Sequence, residues 1–248
     1  MTSADALLDL FTDVAAAVRA AVAGIAVADL RARTDREGQY ALDLVADEVA
    51  CRILERADVR IVSEESGVHQ CAGAEITVVL DPVDGSTNCS RRIPYWATSI
   101  CALDADGALA GLVVNQATGV CVTATRGKGA FRDGERMHAS FVPRVDEAMV
   151  YLTGRPAKEL PWKQFRSLGS AALGLCDVAT GAFDGLLDAG GFHAPWDYLA
   201  GYLACVEAGA VVRDAQGRKL VTDDIGARRQ LIAAGTPELA DELAGGLA

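Results

Sequence analysis

The sequence predicts an α/β protein folded as one compact unit, with an antiparallel-rich first lobe over residues 1–141 and a more regular α/β lobe over 142–248. Three observations carry that prediction. An unbroken, β-rich apolar run over residues 76–80 reads as a buried strand. Strand-like segments separated by turn residues follow between Trp96 and Phe131. Beyond Pro143, helical and strand-like stretches alternate. No linker-like segment or internal repeat divides the 248 residues, a length that suits one large domain or two tightly joined lobes.

Each element has a local reason. Thr2-Ser3-Ala4-Asp5 is a capping start, after which Leu7, Phe11, Val14, Val18, Ala21 and Ile25 recur at helical spacing. A second helix is predicted over residues 43–56, with Leu44, Val49 and Ile53 on one side. Residues 59–62 read as a short strand ending at Ser63-Glu64-Glu65-Ser66-Gly67, and the strand over 76–80 stops at Asp81-Pro82. Residues 97–103, 108–114 and 120–124 are strand-like, separated by turns at 104–107 and 115–119, and Asp133-Gly134 marks another tight turn. In the second half, 170–180 is helical, 183–187 a strand, 195–208 helical and 231–234 a strand. Thr236-Pro237-Glu238 opens a last helix, with Thr as its cap and Pro in its first turn.

Composition narrows the function classes. The chain carries 23 Lys and Arg against 34 Asp and Glu, a net charge of −11, which argues against general binding to a nucleic-acid backbone. A small anionic substrate remains compatible if metal ions supply local positive charge. The N-terminus lacks the basic region and apolar core of a signal peptide, and no stretch of 18 uncharged apolar residues occurs, so the expectation is a cytoplasmic protein off the membrane. Seven cysteines, never closer than 12 residues, form no C-x-x-C motif and are expected as buried reduced thiols.

The informative chemistry is acidic. Asp81-Pro82-Val83-Asp84-Gly85-Ser86-Thr87-Asn88 follows the buried strand directly, so two carboxylates share one short turn ahead of a Gly-led run whose N–H groups could face an anion. A second strand ends in Glu64-Glu65. Asp197 stands where the helix containing Leu199 and Leu203 begins, either as a cap or as a third carboxylate arm. Carboxylates gathered at strand ends repel unless cations sit among them, and all-oxygen ligands favour Mg²⁺, Mn²⁺ or Ca²⁺ over zinc. An EF-hand fails because Val83 and Gly85 fall at ligand positions; a P-loop fails because Arg126-Gly127-Lys128-Gly129 has the wrong spacing.

In combination, Ser63-Glu64-Glu65-Ser66, the 81–88 segment, Trp196-Asp197 and Glu207-Ala208-Gly209 resemble the inositol monophosphatase family. The segments 126–131 and 166–172 are similar to the family too, in the family's order, so the resemblance covers nearly the whole chain. It implies a layered αβαβα sandwich of the inositol monophosphatase and fructose-bisphosphatase type. It also implies a homodimeric phosphomonoesterase requiring two or three Mg²⁺ per site and often inhibited by lithium. On this resemblance Glu64, Asp81 and the Val83 carbonyl would bind a first metal. Asp81, Asp84 and Asp197 would bind a second, and Glu64 would reach a third through water. Gly85 and Ser86 would offer N–H groups to the phosphate, and the Ser86 hydroxyl would orient the attacking water. Gly169, Ser170 and Ala171 match a stretch that contacts the alcohol, and Asp188 lies near an acidic residue that contacts the sugar alcohol in inositol-specific members; Asp84 and Asp197 would touch substrate as well.

The charges support that expectation. Four carboxylates and a phosphomonoester carry roughly −6 together, which two or three divalent cations nearly neutralise. Two metals about 3.5–4 Å apart can stabilise both attacking and leaving oxygens, and a divalent cation acidifies water, so no histidine base is required of His69, His138 or His193. Departures from the family pattern also fall on particular residues. In the second helix Asp43 fits the register of the acid that bonds the water-orienting hydroxyl, Asp47 competes for it, and a family Thr upstream is missing. The segment between Asp188 and Asp197 is two residues longer than expected, and Cys89 replaces a common aromatic. The leading substrate is an inositol monophosphate. Histidinol phosphate, a 3′-phosphonucleotide or a sugar phosphate are the alternatives, and a non-catalytic interaction protein on the same fold is the alternative of another class.

Overall fold

A computed structural model describes residues 3–247, so Thr2 of the expected capping start lies outside the described residues. Ser3 does the capping: its hydroxyl accepts the Ala6 N–H at 3.2 Å and opens α1 (Ala4–Ala23), which buries Leu7, Phe11, Val14 and Val18. α2 (Ala41–Leu54) starts two residues earlier than expected because the Asp43 carboxylate, at its third position, accepts the Tyr40 N–H at 2.8 Å. Its buried line is accordingly Leu42, Ala46, Ala50 and Leu54, while Leu44 is exposed and Val49 and Ile53 are only partly covered.

Then come β1 (Val59–Ser63), β2 (Gly67–His69) and β3 (Ile76–Asp84), the short helix α3 (Ser86–Arg91), β4 (Ala97–Asp104), β5 (Gly107–Asn115), β6 (Cys121–Thr125), β7 (Gly129–Arg132) and β8 (Glu135–Arg136). β3 does not stop at Asp81-Pro82. Pro82 has no N–H to pair, and the ladder with β4 absorbs it as a bulge, pairing Asp81 with Ser99 and resuming at Asp84 opposite Ala97. The Asp133-Gly134 turn joins β7 to β8 with positive φ at both residues. After this sheet come β9 (Met149–Thr153), β10 (Gln164–Arg166), α4 (Ala171–Ala179), β11 (Gly185–Asp188), α5 (Pro195–Glu207), β12 (Val211–Asp214), β13 (Leu231–Ala234) and α6 (Pro237–Ala244).

Eight strands form one sheet in the order β2-β1-β3-β4-β5-β6-β7-β8, antiparallel throughout except between β1 and β3, which are parallel. Five form a second sheet in the order β10-β9-β11-β13-β12. Period-2 alternation sorts their side chains into layers. Val78, Leu80, Ile100, Ala102, Ala110 and Leu112 face α1 and α2. Val79, Cys101 and Val113 face the other way, onto α4 and α5, which also meet Leu186, Leu231 and Ala233 of the second sheet. Leu187, Ile232 and Ala234 point outward again, onto Leu239 and Leu243 of α6. The stack is therefore helix, sheet, helix, sheet, helix, an αβαβα sandwich with apolar cores on both faces of each sheet.

Two motifs noted in the sequence prove to hold this stack together. Glu207, at the end of α5, accepts the Gly127 and Gly129 N–H groups at 2.8 Å each, which ties the 126–131 hairpin to that helix. All seven cysteines are free; five are buried, but Cys71 and Cys121, expected to be buried too, are only partly covered, and Cys89 packs in the layer between α2 and β3. Among the described residues no helix is long and apolar enough to cross a membrane.

Candidate metal and active site

Parallel pairing of β1 with β3 sets the site. Ser63 stands opposite Leu80, and the Glu64 N–H donates to the Leu80 carbonyl at 3.1 Å, so Glu64 and Asp81 leave adjacent strands at the same level. Across the sheet, Ser99 pairs with Asp81 and its hydroxyl donates to the Trp196 carbonyl at 3.1 Å. That bond docks the first turn of α5, and with it Asp197, beside the two strand ends. Carboxylate oxygens of Glu64, Asp81 and Asp197 consequently lie within 4.8 Å of one another. Asp197 caps the helix, one oxygen accepting the Ala194 N–H at 2.7 Å, and its side chain stands in the acidic cluster as well.

Asp84 reaches the same place by the bulge. Its Oδ2 accepts the Ser170 hydroxyl at 2.6 Å and the Ala172 N–H at 2.7 Å, so it also caps α4. Gly85 then turns the chain into α3 with φ of 94°, and a Cβ there would stand 2.9 Å from the Gly169 carbonyl oxygen. Only glycine fits.

These residues, with Val83 and Ser86, line a cleft of about 230 Å³. Seven carboxylates and one guanidinium, Arg36, line it among the described residues, and Arg36 is held 3.4 Å from Glu65. The electrostatic consequence is visible in the acids. Burial, then the neighbouring Asp197 and Glu65 charges, pushes Glu64 up to about 8. Burial and the Glu64, Asp84 and Asp197 charges hold Asp81 well above the ordinary range. Asp84 rises to about 6, burial and Asp197 outweighing its donors Ser170 and Ala172. Acids so placed cannot all ionise without a cation among them. The donor set, all oxygen and converging from three elements, fits a hard divalent ion such as Mg²⁺.

The two candidates for the water-orienting acid part here. Asp43 lines the cleft; its Oδ1 is buried with no hydrogen-bond partner, and burial pushes the group up to about 7. Asp47 lies behind, accepting the Ser63 hydroxyl and so bracing the strand end that carries Glu64.

Gly169, Ser170 and Ala171 stand behind Asp84 at the start of α4. The Ser170 hydroxyl is engaged with Asp84 and with the Leu173 N–H at 3.3 Å. Asp188 does not join the cleft. It is 1% exposed, and its oxygens accept the Thr153 hydroxyl and the Gly190, Gly191 and Leu231 N–H groups.

Sequence reasoning passed over Arg36 and Glu37, which line the cleft beside Glu65, and Gln39, whose amide donates to Glu65. They sit in a polar loop with no periodicity to place them. His193, not a sequence candidate, has Nδ1 3.4 Å from Asp197 and Nε2 3.3 Å from the Thr153 hydroxyl. Burial alone would lower it, but Asp197 outweighs that and raises it.

Comparisons with known proteins agree with the fold. A family model described as the inositol monophosphatase family matches residues 7–247. A fructose-1,6-bisphosphatase/inositol-1-monophosphatase of Archaeoglobus fulgidus is 35% identical over 223 residues, 86% of each chain. The Nus factor SuhB of Escherichia coli is 34% identical over 172 residues, 63% of each chain. Among solved structures, a protein of Pyrococcus horikoshii described as similar to inositol-1 monophosphatase superposes with a TM-score of 0.89 at 24% identity, covering 99% of this chain and 100% of that one. With the fold, the converging acids and the family model spanning nearly its whole length in agreement, this chain belongs to the inositol monophosphatase family.

Proposed function

We propose that the protein is a Mg²⁺-dependent phosphomonoester hydrolase acting on a small soluble ester, with an inositol monophosphate as the leading substrate. The observation that carries this reading is the convergence of Glu64, Asp81 and Asp197 oxygens within 4.8 Å in a cleft shared with Asp84, Gly85 and Ser86. Glu64, Asp81 and the Val83 carbonyl would hold one cation, and Asp81, Asp84 and Asp197 a second, with a third reached from Glu64. Bound there, two or three Mg²⁺ would neutralise the phosphate and the charge that develops during in-line displacement, and acidify water.

The chain's own groups do the rest. The N–H groups of Gly85 and Ser86, at the tight turn into α3, are the donors for phosphate oxygens. The Ser86 hydroxyl lies in the cleft and orients the attacking water. The unpartnered Asp43 oxygen supplies the acceptor that such a hydroxyl or water needs. Ser170 and the Ala172 N–H fix Asp84 from behind, which keeps its rotamer set as charge develops.

Phosphate release with Mg²⁺ tests this on inositol 1-phosphate, histidinol phosphate, a 3′-phosphonucleotide and fructose 1,6-bisphosphate. D84N should fold and lose nearly all release; a D84N protein as active as the parent sinks the enzyme reading. A faster ester than inositol 1-phosphate reassigns the substrate within the class. A second reading, an interaction protein on this fold, draws on the relatives named Nus factor, and predicts a folded chain that releases no phosphate from any ester. Family resemblance also supports a cytoplasmic homodimer, which light scattering checks.

A further inference from the structure

Outside the acidic cleft, a serine, a histidine and a glutamate stand in line along one hairpin. Ser66 lies in the turn between β1 and β2, His69 ends β2, and Glu55 follows the last residue of α2. The Ser66 Oγ is 2.8 Å from His69 Nε2, and His69 Nδ1 is 3.0 Å from a Glu55 carboxylate oxygen. Both separations are those of sound hydrogen bonds. None of the three residues lines the cleft.

The order of these partners fixes the protons. An ionised carboxylate only accepts, so Glu55 takes the Nδ1–H and leaves Nε2 of a neutral imidazole bare. Nε2 is then the acceptor for the Ser66 O–H. In such an arrangement a serine oxygen can attack while its proton passes to a ring that a carboxylate orients. Ser66 is exposed and His69 partly so, which lets a reactant reach the oxygen without any opening of the fold. Cys51, whose Sγ lies 3.6 Å from the same oxygen, is no rival nucleophile: it is buried, and burial pushes its thiol up to about 12.

We propose that Ser66 is a modification site, a hydroxyl set by His69 and Glu55 to accept an acyl group from an activated ester. In that step Ser66 Oγ attacks the acyl carbon and forms the new ester bond, and its proton passes to His69 Nε2. The donor's C–O bond then breaks, and the departing oxygen takes the proton from the ring. No oxidant, reductant or metal takes part. The hairpin supplies the attacking group and its base on an exposed turn, not an enclosed pocket that would polarise the carbonyl for a second attack. The product is therefore a lasting Ser66 ester, one per chain, and not continuous hydrolysis.

The test uses p-nitrophenyl acetate with the full chain in EDTA, where no divalent cation contributes. The parent should release one equivalent of p-nitrophenol per chain in a burst, and peptide mass spectrometry should find the acetyl group on Ser66. S66A should lose the burst and the adduct together. H69Q should slow acylation about 100-fold, the lower end of what a positioned general base contributes. E55Q, changed at an exposed carboxylate, should slow it several-fold and carries the test if H69Q fails to fold. With Mg²⁺, H69Q should release phosphate from a phosphomonoester at the parent's rate, which keeps this site distinct from the phosphatase reading. A burst that survives in S66A, acetyl found only on lysines or the N-terminal amine, or an acylation rate unchanged in H69Q or in E55Q overturns the proposal. A burst kept by S66A and lost in H69Q makes the imidazole the nucleophile and overturns it as well.

Discussion

Asp81 and Asp214 are aspartates near the ends of strands, 2% and 3% exposed, and the protein surrounds them in opposite ways. Asp214 accepts the N–H groups of Gln216, Arg218 and Gln230 at 2.9–3.1 Å and the Arg218 guanidinium at 2.7–2.8 Å. Burial alone would raise it, but these donors outweigh burial and hold it well below the usual carboxylate range. Asp81 receives one N–H, from Val83 at 2.9 Å, and otherwise faces Glu64, Asp84 and Asp197. The same side chain with the same small exposure is complete in one place and short of positive charge in the other. Exposure therefore says little about a carboxylate's role, and its company says a great deal.

The largest expected effect comes from removing the incomplete acid. D81N should reduce phosphate release by more than about 100-fold, beyond what loss of an outer-shell partner costs. It should not lower the melting temperature in EDTA, because it deletes a charge that its neighbours repel. Calorimetry beside a phosphate assay checks both halves. If D81N melts much earlier than the parent in EDTA, Asp81 is a structural group like Asp214 and the contrast dissolves.

Deleting the complete acid should do the reverse. D214A removes several charge-assisted bonds and leaves Arg218 without its partner, a cost of about 2–3 kcal/mol, or roughly 5–10 °C for a chain of this size. Turnover per folded molecule should stay close to the parent, since Asp214 does not line the cleft. Loss of activity without loss of stability would place this turn in the catalytic machinery and contradict the comparison.

The two regions also differed in how plainly the sequence announced them. Glu64, Asp81, Asp84 and Asp197 were legible because each ends a strand or starts a helix, where periodicity breaks and a buried run gives way to acids. The layered fold was legible for a related reason: Val78/Val79/Leu80 and Leu231/Ile232/Ala233 show how an unbroken apolar strand supplies both of its faces. Strands such as β9 and β12 were not, being four or five residues long and defined by partners distant in sequence. Asp188 misled for the same reason. Its position in the chain matches an alcohol-facing acid, but its direction is set by Thr153 and two glycine N–H groups that no local pattern reveals. Asp43 and Asp47, four residues apart on one helix, were separable only once the Tyr40 N–H fixed the start of α2.

A further effect should appear in the pH dependence of stability, where the two regions act with opposite sign. Glu64, raised to about 8 by burial and its acidic neighbours, holds its proton more tightly folded than unfolded. Its contribution is therefore full below the ordinary carboxylate pKa of 4.5 and is lost as pH rises towards 8. Asp43, raised to about 7, acts in the same direction. Asp214 is the reverse: its contribution is present above the ordinary aspartate value of 3.8 and is lost as pH falls through its depressed folded value. In EDTA the melting temperature should thus decline from pH 5 to pH 8, and 10 mM Mg²⁺ should oppose the decline, more strongly at the higher pH, because a cation that binds the ionised acids of the folded state draws the equilibrium towards it. E64Q should flatten the slope in EDTA and weaken the Mg²⁺ response, leaving the share that belongs to Asp43, Asp81 and Asp84. A parent whose melting temperature ignores both pH and Mg²⁺ across that range would show that the acids at the ends of β1 and β3 are neither strained nor built to hold a metal.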